Sequence, residues 1–205
     1  RAIIQSGMAA GATLAVPGLL LAAASPDAIK GAAGFIKAIA ARAIDILQAN
    51  SDKIEAREAQ FRDLLSNGFD MPFIARFVLG KHWRKAAEPQ KKALVEAFAR
   101  VSIATYAARF DGFSGQQFKT LSTKDGPQQT QLVVTRLLNP GGDDVDLTYV
   151  IKQMDGKWRI IDIVLDTGIS ELAVRRSEYR QVLNRDGIDG LIAMLNGKAA
   201  QLGKS

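Results

Sequence analysis

Residues 147–170 constrain the fold more than any other stretch. They read Leu-Thr-Tyr-Val-Ile-Lys-Gln-Met, then Asp155-Gly156-Lys157, then Trp-Arg-Ile-Ile-Asp-Ile-Val-Leu-Asp-Thr-Gly-Ile-Ser. Two β-rich runs around Asp-Gly spell a hairpin. A period of two puts Val145, Leu147, Tyr149 and Ile151 on one face of the first strand, with Asp146, Thr148, Val150 and Lys152 on the other. The same period in the second strand groups Arg159, Ile161, Ile163 and Leu165 against Trp158, Ile160, Asp162, Val164 and Asp166. A strand apolar on both faces is expected to be covered on both. The prediction is a curved sheet with helices packed on it and an apolar space between them.

At 205 residues the chain is expected to form one domain with a core large enough to fold alone. It has no Cys, which excludes disulfides and thiolate metal sites. A single histidine, His82, argues against a multi-histidine metal centre or a Ser-His-Asp triad, so neither a metal nor another cofactor is expected. The net charge of +6 favours anionic partners such as lipid headgroups or a membrane surface. Nucleic acid is not expected, because the basic residues are not interleaved with aromatics and no nucleic-acid motif is present.

Residues 1–24 differ from the rest. Arg1 is their only charge, and Leu19-Leu20-Leu21 precedes the small residues Ala22-Ala23-Ala24. This reads as a secretory signal peptide lacking its extreme N-terminus, leaving residues 25–205 as the mature domain. The apolar run is short and broken by Pro17, which argues against a membrane anchor.

Helical periodicity then dominates. Ser25-Pro26-Asp27 opens a helix with Phe35, Ile36, Ile39, Ala43, Ile46 and Leu47 in its stripe. Asn50-Ser51-Asp52 caps a second, carrying Phe61, Leu64 and Leu65 and ending at Asn67-Gly68. Asp70 caps a short third helix stopped by Gly80, and Glu88-Pro89 opens the longest, to about Phe110. Strands are expected over 116–123 and 131–138 ahead of the hairpin, and helix again from Glu171, divided at Gly187 and frayed beyond Asn196-Gly197. Helices, strands, helices in that order describe an α+β fold with a mostly antiparallel, four-stranded sheet.

Candidate chemistry is sparse. Asp162 and Asp166 share a strand face and could act as an acid/base pair, but no further group nearby in sequence completes a site. Trp83 reads as a core anchor between solvated charges. The basic stretches around Lys81, Arg84 and Lys85 and around Arg175, Arg176 and Arg180 could meet phosphate or an acidic partner near a cavity mouth.

Phe77-Val78-Leu79-Gly80-Lys81-His82-Trp83-Arg84 resembles the "vlG-x-x-W-[RK]" segment of the MlaC family. Tyr106, Trp158-Arg159-Ile160-Ile161-Asp162-Ile163, Gly168-Ile169-Ser170, Tyr179-Arg180 and Gly187-Ile188-Asp189-Gly190-Leu191-Ile192 also fall where that family has its motifs. The resemblance spans nearly all of residues 25–205. It implies a soluble periplasmic carrier of phospholipid in a Gram-negative bacterium, with transient membrane contact. Its implied partners are an inner-membrane ABC transporter complex and an outer-membrane lipoprotein complex, between which it would shuttle lipid. Asp166-Thr167 and the run after Ser170 depart from the usual family pattern and look closer to the hopanoid-associated branch, HpnM, so a hopanoid-type lipid is the variant cargo. On this reading Leu147, Tyr149, Ile151, Ile163 and Leu165 line the cavity from the sheet. Phe73, Phe77, Val78, Tyr106, Phe110 and Leu191 face them, and Lys81, Arg84, Arg176 and Arg180 meet headgroup or partner. The alternatives are an enzyme of a cone-shaped α+β fold with Asp162 as its base, and an envelope protein with no ligand and a solid core.

Overall fold

Asp155 and Gly156 both take positive φ, 48° and 74°. That is the conformation of a two-residue turn whose twist matches the strands it joins, and Asp and Gly are residues that reach it readily. The turn joins β3 (Val145–Met154) to β4 (Lys157–Leu165). With β1 (Gln117–Asp125) and β2 (Thr130–Leu138) they form one antiparallel sheet in the order β1-β2-β3-β4. The helices are α1 (Ala32–Ala49), α2 (Ile54–Gly68), α3 (Met71–Leu79) and α4 (Glu88–Arg109) before the sheet, and α5 (Glu171–Leu202) after it. A short 3-10 helix, Gly80–Lys85, links α3 to α4. This α+β architecture is described by a computed structural model over residues 31–49, 54–109, 115–166 and 168–203. The expected leader at 1–24, the helix start at Ser25-Pro26-Asp27, the cap at Asn50-Ser51-Asp52, Phe110 and Thr167 lie outside those residues.

Strict alternation fails in β4. Val150 pairs with Asp162, but the next residue, Ile151, pairs with Ile160, so Ile161 is an extra residue in the ladder. Such a bulge flips the parity of everything before it. Trp158 and Ile160 therefore join the face of Ile163, Tyr149 and Ile151, contrary to the uninterrupted alternation expected for the strand. That face packs on Ala32, Phe35, Ile36 and Ile39 of α1 and forms a buried cluster with Val133. The opposite face carries Leu132, Val134, Thr148, Val150 and Val164, all half-buried rather than enclosed. The expected cover on both faces is thus realised fully on one.

A second, larger cluster joins the helices. Phe61 and Leu65 of α2, Ile74 and Val78 of α3, Leu94, Phe98 and Val101 of α4, and Tyr179, Leu183, Leu191 and Leu195 of α5 pack together. Helix α1 belongs to both clusters, with Ile36 under the sheet and Ile46 and Leu47 among the helices. Phe69, in the link from α2 to α3, packs against both as well. Trp83 is half-buried on the helical cluster, with the Lys91 ammonium 5.5 Å from its ring centroid. Helix α3 starts where expected: Asp70 accepts a hydrogen bond from the Phe73 amide at 2.7 Å, and Gly80 ends the helix.

Helix α5 is interrupted at Gly187 (φ 68°, ψ −164°) but does not fray after Asn196-Gly197; it runs to Leu202. Tertiary contacts override the weak local propensity of Asn and Gly. Leu195 is fully buried, Ala199 packs on the helical cluster, and the Asn196 side-chain oxygen accepts two hydrogen bonds from Arg100 of α4, at 2.9 and 3.2 Å. Asn196→Ala should speed amide exchange over residues 197–202 while costing about 1 kcal/mol of global stability. Unchanged exchange would assign the order of this end to its apolar contacts alone.

Candidate functional site

Strand β4 lies at the edge of the sheet, and two segments stitch onto its outer side. At its start, the Asp70 amide donates to the Ile160 carbonyl at 3.0 Å, Phe69 bridges to Ile160, and the Arg159 guanidinium donates to the Asn67 carbonyl. At its end, the Leu165 amide donates to the Ile169 carbonyl at 3.1 Å, and Ser170 bridges to Val164. Between these stitches Ile161, Asp162 and Ile163 face a cavity rather than another strand.

The cavity lies between this part of β4 and helices α2 to α5. Apolar walls come from Leu65, Phe69, Met71, Ile74, Phe98, Val101 and Leu172, and Tyr106 and Tyr179 add aromatic surface. Phe98 and Tyr179 meet edge to face, ring centroids 6.3 Å apart at 79°, which ties α4 to α5 across the lining. Glu171, Arg175 and Lys198 add charged groups to this wall. Arg175 pairs with Glu178 at 3.0 Å and Glu171 at 3.8 Å. Burial opposes its charge, but Tyr179, Glu178 and Glu171 outweigh that, so its pKa lies above the ordinary arginine value. The Tyr179 hydroxyl is pushed up by burial, with Arg175 opposing.

The cavity volume is about 90 Å³. That is about three water molecules at ~30 Å³ each, well below the roughly 300–1,000 Å³ of ordinary ligand pockets. The cavity is narrow and partly open to solvent.

The structure sorts the expected site residues into separate places. Tyr106 and Ile163 line the cavity. Leu147, Tyr149 and Ile151 belong instead to the cluster beneath α1, and burial, with Tyr106 adding, drives the Tyr149 hydroxyl pKa upward. Leu165 pairs with Leu147 and is half-buried outside the lining. Phe73 and Leu191 pack within the helical cluster, and Phe77 is 37% exposed under the Arg176 guanidinium. Val78, Lys81, Arg176 and Arg180 line a different groove, which Arg84 does not reach; of the basic stretches expected near the cavity mouth only Arg175 lines the cavity, joined by Lys198. Phe110 lies outside the described residues. The lining residues missed include Phe69, Phe98, Tyr179 and Ile161, with Leu65, Met71, Ile74, Val101 and Leu172. Their apolar character was plain in the helical stripes and the strand, but which of them converge depends on the bulge and on the stitching of β4.

Asp162 reaches the cavity but is committed elsewhere. Its Oδ1 accepts from the Ile163 amide at 2.8 Å and the Leu172 amide at 3.1 Å, and its Oδ2 accepts from the Ser170 hydroxyl at 2.5 Å. Ser170 in turn accepts from the Ala173 amide at 2.9 Å as the N-cap of α5. A carboxylate at a helix N-terminus satisfies otherwise orphaned amides and opposes the positive end of the dipole. The carboxylate therefore anchors α5 to β4. Among the described residues no three His, Asp or Glu side chains are grouped to hold a metal ion.

The open four-stranded meander backed by helices is a fold found in known proteins. The chain belongs to the MlaC protein family, whose model matches residues 37–197. A relative from Haemophilus influenzae, the intermembrane phospholipid transport system binding protein MlaC, is 23% identical over 163 residues, covering 76% of each chain. The fold is similar to that of a phospholipid-binding protein from Ralstonia solanacearum, solved in complex with a phospholipid. The TM-score is 0.69 at 20% identity, covering 83% of this chain and 98% of that one.

Asp162→Ala should cost about 2–3 kcal/mol, because it strands amide and hydroxyl donors, whereas Asp162→Asn, which keeps one acceptor, should cost about 1 kcal/mol. Chemical denaturation of both variants checks the order. Equal stability of all three proteins would deny Asp162 its anchoring role.

Proposed function

We propose that this protein is a lipid carrier that takes acyl chains into the cavity along β4. The observation that carries the reading is a mainly apolar, narrow cavity lined by residues 161–163 and four helices, in a chain of the MlaC family. The naming of its Haemophilus relative for phospholipid transport, and the phospholipid bound to the Ralstonia protein of like fold, support a phospholipid cargo. A hopanoid-type lipid is the variant, motivated by the departures around the Gly168-Ile169-Ser170 turn. The reading extends to a periplasmic carrier, released from a signal peptide at residues 1–24. It would be loaded and unloaded at an inner-membrane ABC transporter complex and an outer-membrane lipoprotein complex. Among the described residues no helix is long and apolar enough to cross a membrane.

Energetics set what loading requires. A cavity of about 90 Å³ cannot hold an acyl chain, so β4 and the helices must part to admit one. Each methylene buried contributes about 0.8 kcal/mol, so about a dozen give roughly 10 kcal/mol before ordering costs. That offsets the local repacking, which disrupts contacts such as Phe98 on Tyr179. The headgroup, which stays polar, would meet Arg175 and Lys198 at the charged part of the wall.

Native mass spectrometry of freshly purified protein should show one co-purified lipid, and its mass decides between phospholipid and hopanoid. Delipidated protein that takes up neither would sink the proposal. Ile161→Trp and Ile163→Trp should lower the lipid load severalfold in a folded protein. Tyr149→Trp, beneath α1 and outside the lining, should leave the load of its folded fraction unchanged. An equal effect of all three would place the lipid elsewhere.

A further inference from the structure

Helix α5 presents two different surfaces within one turn. Arg175 and Tyr179 face the cavity, whereas Arg176 and Arg180 wall a second concavity of about 310 Å³. Lys81 and His82 of the 3-10 helix complete that wall, and the buried side chains of Val78, Leu79 and Leu183 form its floor. The two concavities share no lining residue.

The charge in this groove is unbalanced. Among the described residues no carboxylate pairs with Lys81, Arg176 or Arg180, and none lines the groove. The neighbouring arginines of α5 are neutralised: Arg175 by Glu171 and Glu178, Arg185 by Asp186 at 2.8 Å. Three uncompensated cations around one concavity repel one another unless an anion joins them.

The groove is also built. The Arg176 guanidinium carbon lies 5.0 Å from the centroid of the Phe77 ring, which holds the planar group by a cation–π contact. It rests against the bare Cα of Gly80, where a Cβ would come within 2.9 Å of Nη2. Gly80 itself is at φ 53°, ψ −120°, a conformation costly for other residues. A fork positioned in this way loses little freedom on binding an anion.

We propose that this groove binds the phosphate of a phosphate ester. Two arginine forks and an ammonium suit the several acceptor oxygens of a phosphate better than a single carboxylate. The volume lies at the lower end of ligand pockets, about 300 Å³ and upward, more than a bare phosphate fills. The ester is supplied either by a phospholipid headgroup at a membrane surface or by a soluble phosphomonoester. The site is independent of the acyl-chain cavity, so lipid co-purification does not bear on it.

The test uses the full chain with three probes: inorganic phosphate, glycerol 3-phosphate, and phosphatidylcholine vesicles with or without phosphatidylglycerol. Glycerol 3-phosphate should shift the amide resonances of Gly80, His82 and Asn184 saturably and more tightly than inorganic phosphate. The double variant R176Q/R180Q should weaken this about tenfold or more, while R185Q, on the same helix, leaves it unchanged. Thermal unfolding and co-purified lipid should stay as in the parent for both variants. Binding only to vesicles containing phosphatidylglycerol, lost in the double variant, identifies the headgroup as the source. Saturable binding of glycerol 3-phosphate without such vesicle binding identifies a soluble ester. No saturable response to any phosphate probe, or a response that R176Q/R180Q leaves intact, overturns the proposal. Shifts from a polyglutamate peptide alone would do so too, and would reassign the groove to an acidic protein segment.

Discussion

An edge strand leaves a row of backbone donors and acceptors without a neighbouring strand, and how β4 deals with that row organises the molecule. The link between α2 and α3 covers its first part through Asp70 and Phe69, and the approach to α5 covers its last part through Ile169 and Ser170. The bulge at Ile161 falls between the two. Because a bulge bends and twists its strand, the uncovered middle turns toward the helices instead of pairing. Cavity, helix anchoring and sheet edge are thus one feature.

The residues that carry the family likeness are largely those that make this edge. Asp162 and Ser170 join the strand to the start of α5 by hydrogen bonds. Gly80 permits the turn out of α3 and the approach of Arg176. None of these contacts depends on the nature of the cargo.

Helix α5 divides the chemistry. Successive residues on a helix point about 100° apart, so Arg175 and Arg176 cannot serve the same surface. Arg175, held between Glu171 and Glu178, belongs to the cavity; Arg176 and Arg180 face away from it, without acidic partners. An apolar compartment and a cationic groove therefore share one helix as a wall without sharing a lining residue. The first is suited to a hydrocarbon and the second to an anion.

Local signals in the chain determined most of the architecture. Asp155-Gly156 dictated the hairpin because few residues reach its turn, Asp70 and Gly80 bounded α3 through their caps, and helical stripes marked α4 and the break at Gly187. Composition and motif order sufficed for the family. The position of the cavity was not legible, since a single unpaired residue, Ile161, reverses the faces of β4 and no local pattern announces it. Tyr149 and Ile151 share the face that the sequence reading gave them, but α1, distant in sequence, covers it. The role of Asp162 was equally hidden: only the folded chain brings Ser170 and Leu172 to its carboxylate. The order of residues 197–202 came from contacts with α4, nearly a hundred residues away, which outweigh the local weakness of Asn196-Gly197. Short-range sterics and capping are written in neighbouring residues, but the convergence of surfaces and the satisfaction of an edge depend on partners distant in sequence, and only the tertiary structure decides them.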